Sequence, residues 1–214
     1  MLKLYTYFRS SAAYRVRIAL NLKGLPYEAV PVHLLRDGGE QHTSDYARLN
    51  PTELVPTLVD GEHALGQSLA IMEYLDELYS SPPLLPGNAL ERARTRALAQ
   101  SIACDMHPLN NLRVLQYLAR EHQLDEAAKA IWVRHWITLG FTALEAQLQH
   151  PATGVFCHGD TPTLADCCLV PQMFNARRFA TPLDPFPTLC RIEAACLTLE
   201  AFQRAAPEVQ ADAT

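Results

Sequence analysis

Two serines, Ser10 and Ser11, fall where an apolar strand pattern, Leu2-Lys3-Leu4-Tyr5-Thr6-Tyr7, gives way to a helical one. Unpartnered backbone N–H groups concentrate positive charge at a helix start, and a hydroxyl there adds one more donor. Such a place stabilises an anion, including a thiolate, whose pKa falls at helix N-termini. Plain capping fits the same serines, and from this stretch alone it is the commoner role. A second stretch, Val55-Pro56, opens a strand. Proline cannot donate a ladder bond, so the pair suits a bend, with a cis bond allowed, that leaves the Val55 backbone open to an extended peptide-like ligand. An ordinary loop-to-strand proline is the plainer alternative. Gln67-Ser68 puts an amide and a hydroxyl at another helix start, a receptor for a carboxylate. Each feature alone is weak; three within the first 80 residues are more specific together.

The elements that must position these groups alternate at short range. Strands are expected at Leu2–Phe8, Tyr27–Val32, Thr57–Val59 and His63–Leu65, the last two flanking an Asp60-Gly61 hairpin turn. Helices are expected over Ala13–Lys23, ended by Gly24, and over Ser44–Leu49. A further helix, capped by Ser68, carries Ile71, Met72, Leu75 and Leu78 at helical spacing. The order is β-α-β-α-β-β-α, a small mixed sheet covered by helices. Residues 81–88, rich in proline and glycine, read as a linker between an α/β domain at 1–80 and an all-α domain at 89–214. Helical patterns there run over Leu90–Glu121, interrupted by Pro108, then Glu126–Gln149, Leu164–Arg178, Pro187–Cys196 and Leu199–Ala205. Thr163-Leu164-Ala165-Asp166 reads as a reciprocal capping box, and the polar tail after Pro207 is expected to fray.

Composition excludes whole classes. With 49% hydrophobic residues the chain can form a core, which rules out intrinsic disorder. A net charge of -5 gives no basic excess for displacing phosphate counterions, so a nucleic-acid role is not expected. Charged residues make up 19%, against about 25% in typical chains, which suits an oligomer with some covered surface. The start of the chain shows no secretory pattern and no apolar run approaches membrane-spanning length, so a cytoplasmic setting is expected. In that reducing compartment Cys104, Cys157, Cys167, Cys168, Cys190 and Cys196 read as free thiols rather than disulfides. No histidine pair has metal-binding helical spacing, and no metal is expected.

Arg9-Ser10-Ser11 with Arg15-Val16-Arg17-Ile18-Ala19-Leu20, Val55-Pro56-Thr57-Leu58 and Gln67-Ser68 together resemble the glutathione transferase family, in particular its zeta class. The likeness continues through Asp105–Arg113, Gly159–Asp166 and Leu169–Gln172 to Asn175–Phe179, nearly the whole chain. It implies the glutathione transferase fold: a thioredoxin-like N-terminal domain followed by an all-helical one. The class includes isomerases of maleylacetoacetate, in phenylalanine and tyrosine breakdown, and of maleylpyruvate. The implied reaction is cis-trans isomerisation by reversible addition of the glutathione thiolate to a conjugated alkene. A general transferase or dehalogenase, or a non-catalytic interaction protein of the same fold, is the alternative.

Position by position, the resemblance implies that Ser10 assists the thiolate, with Ser11 beside it. Val55 pairs with the cysteinyl backbone of glutathione, and Gln67 and Ser68 hold its γ-glutamyl carboxylate. Gln41, His107, Asn111, Leu112 and Arg113 fall where the family contacts the tripeptide. The class usually writes Ser-Ser-Cys where this chain has Ser10-Ser11-Ala12, so a role for a protein cysteine there is absent. A small dianionic keto acid as substrate, and a homodimeric assembly, are further implications. Two carboxylates call for arginine, whose planar fork pairs with them bidentately. Arg9, Arg113, Arg177 and Arg178 are the candidates, each weighed against solvated surface positions, whereas Arg15 and Arg17 read as structural.

Overall fold

A computed structural model of the chain describes residues 1–213, which form two compact units. One comprises Met1–Leu84 together with 197–213, and the other Leu85–Cys196.

The first unit runs β1 (Leu2–Thr6), α1 (Ser11–Leu22), β2 (Tyr27–Pro31), α2 (Ser44–Leu49), β3 (Thr57–Asp60), β4 (His63–Gly66) and α3 (Ser68–Leu78). The strands lie in the order β2-β1-β3-β4, with β2 parallel to β1 and the remaining pairs antiparallel. This is the thioredoxin-like arrangement. Tyr5 faces Thr57, and Thr57 faces Gly66, so the end of β1, the start of β3 and the end of β4 share one end of the sheet. That shared end brings the three chemically suggestive loops together. The hairpin loop is Gly61-Glu62 rather than Asp60-Gly61, because Asp60 still pairs with His63. Gly61, at φ +59°, takes the left-handed first position that a two-residue hairpin requires.

Helix α1 is apolar on nearly every side, with Ala13, Val16, Ile18, Ala19 and Leu20 buried. It ends as a Schellman motif: Leu25 N–H donates to Leu20 C=O, Gly24 N–H to Asn21 C=O, and Gly24 sits at φ +63°. Ile71, Met72 and Leu75 of α3 are fully buried, each burial stabilising by about 1.5–3 kcal/mol. Leu78, expected on the same face, is 54% exposed at the helix end.

The second unit holds α4 (Ala89–Gln100), α5 (Leu112–His122), α6 (Glu126–Gln147), α7 (Leu164–Arg178) and α8 (Pro187–Leu197), whose last residue passes into the first unit. The single pattern over Leu90–Glu121 resolves into α4, a wide π-type segment at Ser101–Met106, a tight 3-10 turn at His107–Asn110, and α5. Pro108 is the cause, lacking an N–H and crowding the preceding turn. The bulged segment seats Met106 against Gly140 of α6, where an added Cβ would lie 2.2 Å from the Met106 sulfur. The capping box of α7 forms as the spacing predicts: Thr163 is the N-cap and Asp166 returns to its N–H.

Through residue 213 the tail after Pro207 does not fray. Phe202, beside it on the short α9 (Glu200–Gln203), is fully buried, as is Ala205. Residues 207–209 form a 3-10 turn, and the Asp212 carboxylate accepts the Phe8 N–H at 3.0 Å. Buried apolar anchors and a charge-assisted bond outweigh the polar composition that suggested fraying. Residues 197–213 thus join the first unit, whereas the sequence placed them with the helical domain. No helix among the described residues is long and apolar enough to cross a membrane.

Candidate functional site

Ser10 is the N-cap of α1, its Oγ accepting the Ala13 N–H at 3.2 Å. Capping and anion binding are compatible here. The acceptor side of the hydroxyl serves the helix while its O–H remains a donor, and no acidic residue occupies the first turn of α1. Ser11 is the first helical residue and is buried. Arg9 is exposed, with its guanidinium carbon 4.8 Å from the Phe8 ring centre, a cation–π stacking.

The Val55-Pro56 bond is cis, and Val55 is buried. Among the described residues its N–H and C=O meet no main-chain partner, because β3 begins only at Thr57. The bend is braced from behind. Tyr46 Oη donates to Leu54 C=O at 2.6 Å, and Asn50 Nδ2 donates to the same oxygen at 2.9 Å and to Thr57 Oγ1 at 2.9 Å. Burial raises the pKa of Tyr46, which keeps it a neutral donor. Gln41, in the 3-10 turn Glu40–His42 that follows β2, is buried; its Nε2 approaches Leu34 C=O at 3.4 Å and its Oε1 has no partner.

At α3 the cap is Gln67 rather than Ser68, and Gln67 makes no side-chain cap bond. Its φ of +67° is a left-handed conformation that a non-glycine residue holds only under strain, and such strain concentrates at ligand-binding positions. The first turn of α3 carries no acidic residue, so its N–H groups stay open to an incoming carboxylate. Ser68 is buried, and its Oγ accepts from Arg15 Nη1 at 3.2 Å. Arg15, read from sequence as structural, therefore places a buried positive charge behind this carboxylate receptor. The signal for it was present: a charged residue in a helix apolar on nearly every side requires a specific partner inside. Arg17, by contrast, serves the scaffold, and burial lowers its pKa to about 10.

The remaining candidates belong to the helical unit. His107 opens the 3-10 turn. Asn111 is the N-cap of α5, its Oδ1 accepting the Arg113 N–H at 3.1 Å, and Leu112 and Arg113 begin that helix. The Arg113 side chain is exposed. Arg177 and Arg178 are adjacent at the end of α7 but differ in what they meet. Arg177 Nη1 pairs with Glu193 Oε1 at 2.5 Å, and that carboxylate is buried. Burial raises the Glu193 pKa, and the hydrogen bond and charge of Arg177 oppose the rise. Arg178 lies with its guanidinium carbon 5.2 Å from the Phe179 ring centre.

These elements fit glutathione on observations of the chain itself: an open main-chain segment at Val55, an uncapped helix start at Gln67-Ser68, a hydroxyl donor at Ser10, and the unpartnered buried oxygen of Gln41. Known proteins agree. The glutathione S-transferase N-terminal domain model matches residues 4–83. A probable maleylacetoacetate isomerase of Vibrio cholerae serotype O1 is 55% identical over 98% of this chain and 97% of its own. The holo structure of a maleylpyruvate isomerase, a bacterial zeta-class glutathione S-transferase, superposes with a TM-score of 0.96 at 50% identity, covering 99% of this chain and 100% of that one. A maleylacetoacetate isomerase from Methylobacterium extorquens AM1, solved with bound malonate and glutathione, gives 0.95 at 42% identity and 99% coverage of both. The chain belongs to the glutathione transferase family, within its zeta class of maleylacetoacetate and maleylpyruvate isomerases.

Proposed function

We propose that the chain is a glutathione-dependent cis-trans isomerase that converts maleylacetoacetate to fumarylacetoacetate. One observation carries the reading: the Ser10 hydroxyl, the open Val55 backbone and the uncapped start of α3 meet at one end of a single sheet. Glutathione, when bound, supplies the thiol whose reversible addition converts the alkene double bond to a rotatable single bond.

The chain's own work is electrostatic and positional. The Ser10 O–H and the N–H groups opening α1 favour the thiolate over the thiol. Val55 orients the tripeptide through two main-chain bonds, and Gln67, Ser68 and Arg15 hold its γ-glutamyl carboxylate, with Gln41 a further polar contact. His107, Asn111, Leu112 and Arg113 are assigned to the tripeptide by family likeness. Arg9, next to Ser10 in the chain, suits the negative charge that develops on the keto acid as its conjugation is broken. Arg178 is assigned to a substrate carboxylate by family likeness, and Arg177 is paired with Glu193. Two copies per molecule and a cytoplasmic setting belong to the same reading.

The likeness to the holo maleylpyruvate isomerase supports a second reading, in which the shorter keto acid is the substrate. Turnover of each keto acid with glutathione, followed by loss of the cis isomer, tests both. Isomerisation that requires but does not consume glutathione is expected, faster on maleylacetoacetate. Faster turnover of maleylpyruvate establishes the second reading, and no turnover of either overturns both.

A further inference from the structure

The segment Tyr7–Ser10 joins β1 to α1 and carries the serine assigned to the thiol. Its Phe8 peptide lies beyond both the strand ladder and the helix, yet both polar groups of that residue are held. The N–H donates to Asp212 Oδ2 at 3.0 Å, and the C=O accepts from Arg17 Nη2 at 3.1 Å. Arg17 is fully buried and is itself anchored to the chain's last stretch, its Nε donating to Ala205 C=O at 3.0 Å. Its Nη1 donates to Thr6 Oγ1 at 3.0 Å and to Tyr7 C=O at 3.4 Å. Ala213 packs against the cluster of Tyr7, Phe8, Val32, Tyr46 and Val55, so the same tail adds to the core of which Val55 is part.

We propose that residues 205–213 are a positioning strap for the thiol site, with Asp212 as its positioning residue. The proposal rests on the placement of glutathione at Ser10. Phe8 lies two residues before that N-cap, and the Ser10 N–H donates to Tyr7 C=O at 2.9 Å, so the turn moves as one piece. Displacing the Phe8 peptide displaces the Ser10 hydroxyl, and hydrogen bonds weaken steeply as their angle degrades. The Asp212 carboxylate stands near the thiol site without opposing a thiolate, because its charge is compensated by the Phe8 N–H and the nearby Arg17 guanidinium.

The test uses the full chain with Asp212→Ala, Asp212→Asn and Glu208→Ala, an exposed control in the same tail. Glutathione affinity is read by calorimetry, ionisation of the bound thiol by ultraviolet absorbance against pH, and loop protection by amide hydrogen exchange at residues 7–10. For Asp212→Ala, affinity should fall about tenfold, the lower end of what a hydrogen bond to a charged group is worth. The bound thiol should titrate at higher pH, and the loop amides should exchange faster. Asp212→Asn keeps an acceptor oxygen and should restore most of the affinity; Glu208→Ala should match the wild type. An Asp212→Ala protein that binds glutathione and ionises it like the wild type overturns the strap, whatever its melting temperature. A wild type that fails to bind glutathione overturns the underlying reading, a different result.

Discussion

Arg15 Nη1 lies 3.2 Å from Ser68 Oγ, which links α1, whose N-cap is Ser10, to the opening turn of α3. A helix start alone supplies about half an elementary positive charge, so a buried guanidinium behind it more than doubles the pull on a carboxylate. Replacing Arg15 by Met keeps the apolar stem and removes that charge. Folding stability should fall by about 1–3 kcal/mol, because the buried Ser68 hydroxyl loses its partner. Glutathione affinity should fall about tenfold or more. Calorimetry with glutathione and with cysteinylglycine, which lacks the γ-glutamyl group, checks the assignment. Only the full tripeptide should lose affinity.

Ser10 performs two tasks that substitution can separate. Ser10→Ala removes both the cap and the donor, costing about 1 kcal/mol in stability. Loss of the donor should lower turnover about a hundredfold, as for removal of one oxyanion donor elsewhere. Ser10→Gly costs only a few tenths of a kcal/mol as a cap and lacks the donor equally. Equal loss of turnover in the two variants, with unequal melting temperatures, is the expected pattern. Turnover that follows melting temperature instead would reduce Ser10 to a cap.

Much of this was legible in the residues because local chemistry decided it. Gly24, the Thr163–Asp166 box and the α2 and α7 boundaries are all set by residues within a few positions. What could not be read locally depended on partners far along the chain. Arg15 is separated from Ser68 by 53 positions, and Phe8 from Asp212 by 204, so no window contained either pair. The same holds for Arg177 and Arg178, adjacent and identical in type, of which Arg177 pairs with Glu193, 16 positions on. Ser68 as a cap failed for a different reason: Gln67 takes a left-handed φ that its residue type disfavours.

The two arginines ending α7 should therefore behave differently. Arg177→Ala leaves the buried Glu193 carboxylate without its partner. With the Arg177 side chain half exposed, the cost should be about 1–3 kcal/mol, below that of breaking a fully buried pair. Arg178→Ala should raise the KM for the keto acid. Steady-state kinetics beside thermal melts read both effects. A raised KM in Arg177→Ala with an unchanged melt would reverse the assignment.

Asp166 offers a pH test of the α7 start. It is fully buried, and it accepts the Cys157 N–H at 2.8 Å, the Thr163 N–H at 2.8 Å and the Thr163 hydroxyl at 2.7 Å. Asp166→Ala strands those backbone donors and should cost about 2–5 kcal/mol. Burial nonetheless raises the carboxyl pKa above its ordinary 3.8, the three donors only partly opposing it. The folded chain then binds this proton more readily than the unfolded chain does. Its contribution to stability is accordingly greatest below the ordinary value and declines as pH rises through the folded pKa. Asp166→Asn does not titrate, so the advantage of wild type over this variant in denaturant unfolding should shrink as pH is raised from the acid side. An advantage that grows with pH would mean the three donors outweigh burial, and that the ionised carboxylate is the form that anchors α7.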